Sequence, residues 1–187
     1  MRISSLVLAA SILLPVSFAN AATDVTKLSS NNQFANASTF DPDSGSFTAV
    51  FVTREKTKGQ PRDSISIIKA NADGFSMIRG TMPHGALHMS AKSASVDVAI
   101  GEIEVIEQTG DFDPDAIVSV DWQASDVTRQ HGNTVLDMGG GFTAHIVGQF
   151  TQAQATASGE VLGGPFTAAS ADMSTAQQMV VIKVMSN

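Results

Sequence analysis

The chain has 187 residues, a formal net charge of −7 and no cysteine. Its acidity disfavours nucleic acid and anionic lipid headgroups as partners. The missing cysteine excludes disulfides, thiol nucleophiles and thiolate metal ligands, and one Trp with no Tyr is too little to build the two aromatic girdles of an outer-membrane barrel.

Met1-Arg2 is a short basic start, Ile3 to Phe18 is largely apolar, and Ala19-Asn20-Ala21 is a small-x-small processing pattern. This predicts a secretory signal peptide over residues 1–21 and a chain exported to the periplasm or the exterior of a bacterial envelope. No membrane span is expected after cleavage. Residues 22–33 are rich in Ser and Asn and read as a flexible lead-in. Residues 34–187 read as a single β domain.

Phe34 to Phe40 is predicted as a first strand at a sheet edge, turning at Asp41-Pro42-Asp43-Ser44-Gly45. Phe47 to Arg54 carries apolar residues on both parities, the pattern of a central strand covered on two sides. Ser64 to Ala70 and Phe75 to Met82 flank Asn71-Ala72-Asp73-Gly74, a hairpin signal. Pro83-His84-Gly85 ends that hairpin, and Leu87 to Lys92 suits a short strand. Val96, Val98 and Ile100 share one parity, whereas Ile103 and Val105 share the other. The switch predicts a β-bulge near Gly101-Glu102, with Glu102, Glu104 and Glu107 on the wet side.

The clearest strand follows the Asp113-Pro114-Asp115 turn. Val118, Val120, Trp122 and Ala124 alternate with Ile117, Ser119, Asp121 and Gln123, so Trp122 belongs in the core with a partner for its indole N–H. Arg129 to Asn133 breaks the pattern and suggests a connection. Gly139-Gly140-Gly141 suggests a turn, after which Phe142, Ala144, Ile146, Gly148 and Phe150 form the better core face, opposite Thr143, His145, Val147 and Gln149. Gly139, Gly141 and Ala144 match a dinucleotide fingerprint in form only, because period two rather than a helix follows them. Gln152 to Leu162 reads as a polar strand near an edge, turning at Gly163-Gly164-Pro165. Ala168 to Gln177 reads as a short helix or loop, and Gln178 to Met185 as a closing strand with Val180, Ile182 and Val184 inward. The expected fold is all-β, an antiparallel sandwich or closed barrel of about ten strands with minimal helix. Phe40-Asp41-Pro42-Asp43 recurs as Phe112-Asp113-Pro114-Asp115, either an internal duplication or convergent turn chemistry.

Val118-Ser119-Val120-Asp121-Trp122 and Ala155-Thr156-Ala157-Ser158-Gly159 resemble segments of uncharacterised exported bacterial β-proteins. The resemblance spans residues 118–159. It implies no activity and assigns no site residue.

Two constellations are metal candidates. His84 and His88 are four apart, a spacing that puts both on one face of a strand. Asp111, Asp113 and Asp115 form a D-x-D-x-D run, but Ala116 and Trp122 stand where a calcium loop of the EF-hand type needs Gly and Glu. His131 and His145 are isolated from any catalytic motif, and neither a G-x-S-x-G elbow nor H-E-x-x-H occurs. No catalytic residue and no cofactor is assigned. The reading is an exported, non-catalytic domain that binds or scaffolds a protein, a polysaccharide or a small ligand. Its alternatives are a hydrolase-type enzyme with a His/Asp site and a carrier of apolar ligands in a barrel cavity. A deep cleft with converging His and carboxylates favours catalysis; a filled core with a flat apolar patch favours a partner.

Overall fold

A computed structural model gives the fold of residues 26–57, 60–139 and 142–184; residues 1–21, read as a signal peptide, and the Gly140-Gly141 pair lie outside the described residues. The strands are β1 (Thr26–Asp41), β2 (Ser46–Lys56), β3 (Arg62–Asn71), β4 (Gly74–Thr81), β5 (Leu87–Met89), β6 (Ser93–Ala99), β7 (Glu104–Thr109), β8 (Ile117–Gly139), β9 (Phe142–Val161), β10 (Gly164–Thr167) and β11 (Ser170–Val184). All pairings are antiparallel. They join into one 11-stranded sheet, ordered β5-β6-β8-β9-β11-β1-β2-β3-β4-β7, with β10 paired to β9. The sheet is not closed, so the fold is all-β as expected but not a barrel.

Two contacts show that the sheet folds over on itself. The Trp122 indole N–H on β8 donates to the Asn36 carbonyl on β1 at 2.9 Å, and Arg54 on β2 donates to the Leu87 carbonyl on β5. The core lies between the halves: Val50, Val52, Ile65, Ile67 and Ile78 face Leu87, Val96, Val98, Val118, Val120 and Trp122. Trp122 is 0% exposed, as its alternation predicts.

Arg54 and Asp63 place a charged pair at the seam, the carboxylate buried and the guanidinium partly exposed. Arg54 Nε and Nη2 grip the Asp63 carboxylate at 2.8 and 2.7 Å, and that buried carboxylate holds the guanidinium further above its ordinary value. A forked, charge-assisted pair of this kind is stronger than neutral hydrogen bonds. Asp63→Asn is therefore expected to cost about 2–3 kcal/mol, measured by urea unfolding. An unchanged midpoint would show that the pair contributes nothing net.

Four turns share one device. Backbone N–H groups of Asp43, Asp73, Asp115 and Gly139 donate to the side-chain oxygens of Asp41, Asn71, Asp113 and Asp137, each two residues earlier. The two Phe-Asp-Pro-Asp segments thus share turn chemistry but not context. The first closes the β1–β2 hairpin, while the second lies in the β7–β8 connection. At Asp41, the Ser44 hydroxyl and then the Asp43 N–H hold the carboxyl below its ordinary range. Any stabilisation from that turn is complete above the ordinary value and fades as pH falls through the lowered one.

Several expectations are corrected. Residues 26–33, read as a lead-in, are part of β1, which runs between β11 and β2 rather than at an edge. The parity switch near Gly101 is a 3-10 turn over Ile100–Glu102 rather than a bulge. It buries Ile100 and Ile103 together and carries the chain from β6 to β7. The irregularity in that region lies between β4 and β7, where Ile106 has no opposite residue, and Val105 is exposed. The segment read as helix or loop, Ala168 to Gln177, enters β11 at Ser170. Strand partners on both sides override its modest helix preference there.

Candidate functional site

β8 does not stop at Arg129. It runs 23 residues to Gly139, and β9 continues for 20 residues alongside it rather than near an edge. The cause is local. Ser125 and Asp126 both stand opposite Gln154, a β-bulge between the pairs Ala124–Ala155 and Val127–Ala153. The Ser125 hydroxyl donates to the Gln154 carbonyl at 3.1 Å. One extra residue exchanges the faces. Before the bulge the even residues of β8 point to the core; after it the odd residues do.

Beyond the bulge, β8, β9, β11 and the start of β1 project past the folded-over core as a four-stranded blade. The β5–β6 turn marks its base, since the Lys92 carbonyl accepts the Ala124 N–H. Every described β8 residue from Thr128 to Gly139 is exposed.

The two faces of the blade follow from the register. On the outer face Leu136 pairs with Ala144, which pairs with Ile182. The neighbouring row is Thr134, Ile146, Val180 and Leu28. Phe150 and Phe34 continue it toward the base. The alternation alone puts Ala144, Ile146, Gly148 and Phe150 toward the core; by register they face the other way, as do Val180 and Ile182, although Ala144 is buried there between its larger neighbours. Neighbouring side chains shield one another, but Leu136 stays 47% exposed and Phe34 and Phe150 40% each. The core-side face carries Val135, Val147 and Met179, all exposed, among His131, His145, Gln149 and Gln177. No described element covers either set.

The predicted ligand candidates do not converge. His84 lies in the Pro83–Ala86 turn and His88 on β5, both exposed. Asp111, Asp113 and Asp115 are exposed in the β7–β8 connection. The Asp113 carboxylate is occupied by the Asp115 N–H at 3.0 Å, and the Pro114 carbonyl ties the loop to the Gly101 N–H. Among the described residues no group of three or more His, Asp or Glu could hold a metal ion. His131 pairs with Gln149 and His145 with Val135, four residues apart along β9, which is roughly 13 Å of strand. One concavity of about 290 Å³ is open and polar, with His88, Ser93, Asp121 and Gln123 beside Arg54, and Arg54 is already committed to Asp63. The sheet of the described residues is not closed, so it does not form the barrel on which the apolar-carrier reading depends.

Comparison with family models, curated proteins and solved structures finds no match to this chain.

Proposed function

We propose that this chain is a non-catalytic β-domain that works by binding or scaffolding, with the blade as its contact surface. The observation that carries the reading is a sheet extension with exposed apolar side chains and no described cover. Contiguous apolar surface on a soluble domain marks a site of association. Hydrophobic burial on contact would then supply most of the driving force. The net charge of −7 fits a protein, polysaccharide or other non-nucleic-acid partner better than a polyanion. The leader-like residues 1–21 support a workplace in the bacterial envelope, periplasmic or extracellular.

The test is the size of the native species. Ile146→Ser with Val180→Ser makes one outer row of the blade polar at two partly exposed, non-core positions. The wild type, released gently from its envelope fraction, is expected to elute above monomer mass and the variant at or near it. Identical monomer elution for both would overturn the reading.

A further inference from the structure

We infer that the partner on the blade's edge is a second copy of this chain, joined through β8 in antiparallel register about Asn133. The inference rests on the proposed binding role and names its occupant.

The edge is unusual within this sheet. β6 pairs with β8 only as far as Gln123. From Val127 onward β8 pairs with β9 on one side and with no described residue on the other. Exposed edges are templates for further strands unless blunted by shortness, bulges or charge. The other terminal edges are blunted: β5 has 3 residues, and β7 has 6, with Glu104, Glu107 and an irregularity at Ile106. The β8 edge carries no Pro, no Lys and no register shift between Val127 and Asp137.

Ladder geometry limits the pairing. In an antiparallel sheet, successive residues direct their N–H and C=O to opposite sides. The Ala124 N–H turns toward β6, bonding the Lys92 carbonyl, and the Ile117 carbonyl turns toward β9, accepting the Leu162 N–H. Carried through the bulge at Ser125-Asp126, this alternation turns the even residues after it toward β9. Arg129, His131, Asn133, Val135 and Asp137 turn theirs outward. Outward groups must meet outward groups, so only registers pairing odd with odd residues can form. Among these, the register centred on Asn133 sets Arg129 opposite Asp137 and His131 opposite Val135. By two-fold symmetry each pairing occurs twice. Opposite charges directly across a strand pair are favourable and like charges unfavourable. Centring instead on Gly132 or Thr134 loses the Arg129–Asp137 match. The pairing adds a strand by β-augmentation, in line with β6 along the same side of β8. It also joins the two outer faces into one continuous sheet surface.

The chain has no cysteine, so an introduced thiol reports cleanly. The purified processed chain is expected to sediment as a concentration-dependent dimer. Asn133→Cys faces its own copy at a hydrogen-bonded pair, about 5.5 Å between Cα atoms, within disulfide range. It should form a linked dimer on mild oxidation. Leu136→Cys, equally exposed but out of register with itself, should not. Arg129→Asp and Asp137→Arg should each weaken association about tenfold, and the double variant should restore it to within about threefold. Several results would overturn the inference: a monomer at all concentrations, equal cross-linking of both cysteines, or no rescue by the double variant. So would a monomer whose odd β8 amides are protected, because another segment of the chain then covers the edge. A monomeric purified chain alongside a larger envelope species would reject the self-pairing and leave the binding role standing.

Discussion

Replacing Trp122 with Ala is expected to lower the unfolding free energy by about 3–5 kcal/mol, the usual cost of deleting a fully buried large aromatic side chain. Trp122 is 0% exposed and spans the seam between the folded halves of the sheet. Its indole N–H is the partner of the Asn36 carbonyl at 2.9 Å. Truncation therefore opens a void and also removes the side-chain donor that ties β8 to a carbonyl of β1 across the seam. Trp122→Phe separates the two effects: it keeps most of the volume but not the donor, and about 1–3 kcal/mol of loss is expected from the lost hydrogen bond and the smaller ring. Chemical unfolding of the three proteins measures both. Wild-type-like stability of Trp122→Ala would remove this residue from the centre of the core.

Gly159→Ala should be of similar severity, about 3 kcal/mol or more, for a different reason. Gly159 stands opposite Val120 on β8 with φ at 154°. A β-carbon there would fall inside the Ser119 carbonyl and against the Val120 Cα. Those are backbone atoms, so relief requires β8 and β9 to part beside Trp122. Gly132, on the same strand pair but with open space where a β-carbon would sit, is the control; Gly132→Ala should change stability by no more than about 0.5 kcal/mol. Equal melting of wild type and both variants would show that the strands are not held this closely at Gly159.

The parts of this fold readable from sequence are those where one face meets the core and the other meets water. Val118, Val120 and Trp122 alternate cleanly with Ser119 and Asp121 because the sandwich is behind them, and the Asp- and Asn-initiated turns announce themselves through side chains that bond the amide two residues on. The blade is opaque for the same physical reason. Once a sheet has water on both sides, alternation no longer distinguishes in from out. Ile146 and Phe150 then look like a core face although they stay partly exposed, and Ala144 is buried only between its neighbours on the sheet. The bulge at Ser125-Asp126 hides the continuation further by reversing the parity within β8. Arg129 to Asn133, polar on both faces, therefore resembles a loop. Ala168 to Gln177 misleads because its Ala and Gln favour no strand by themselves; pairing on both flanks decides their state. Of the metal candidates, the Asp111–Asp115 run is legible as an Asp-initiated turn, closed by the Asp115 N–H on the Asp113 carboxylate, but its anchoring to the Gly101 N–H through the Pro114 carbonyl is a contact that no local pattern could supply.

The blade and its edge together explain why a compact sandwich would carry an extra four-stranded extension. A surface with outward-facing apolar rows, and an edge whose amides meet no described strand, gains most by joining another strand. The proposed partner has the same sequence, so the complementarity of Arg129 and Asp137 within one strand is what makes the edge match itself.

Residue-resolved amide exchange along β8 tests this account most directly. The expected pattern is alternate: Gln130, Gly132, Thr134 and Leu136 protected at every concentration by their bonds to β9, and Arg129, His131, Asn133, Val135 and Asp137 exchanging fast in dilute protein and slowly in concentrated protein. Uniformly fast exchange from Val127 to Gly139, with no alternation at any concentration, would contradict it.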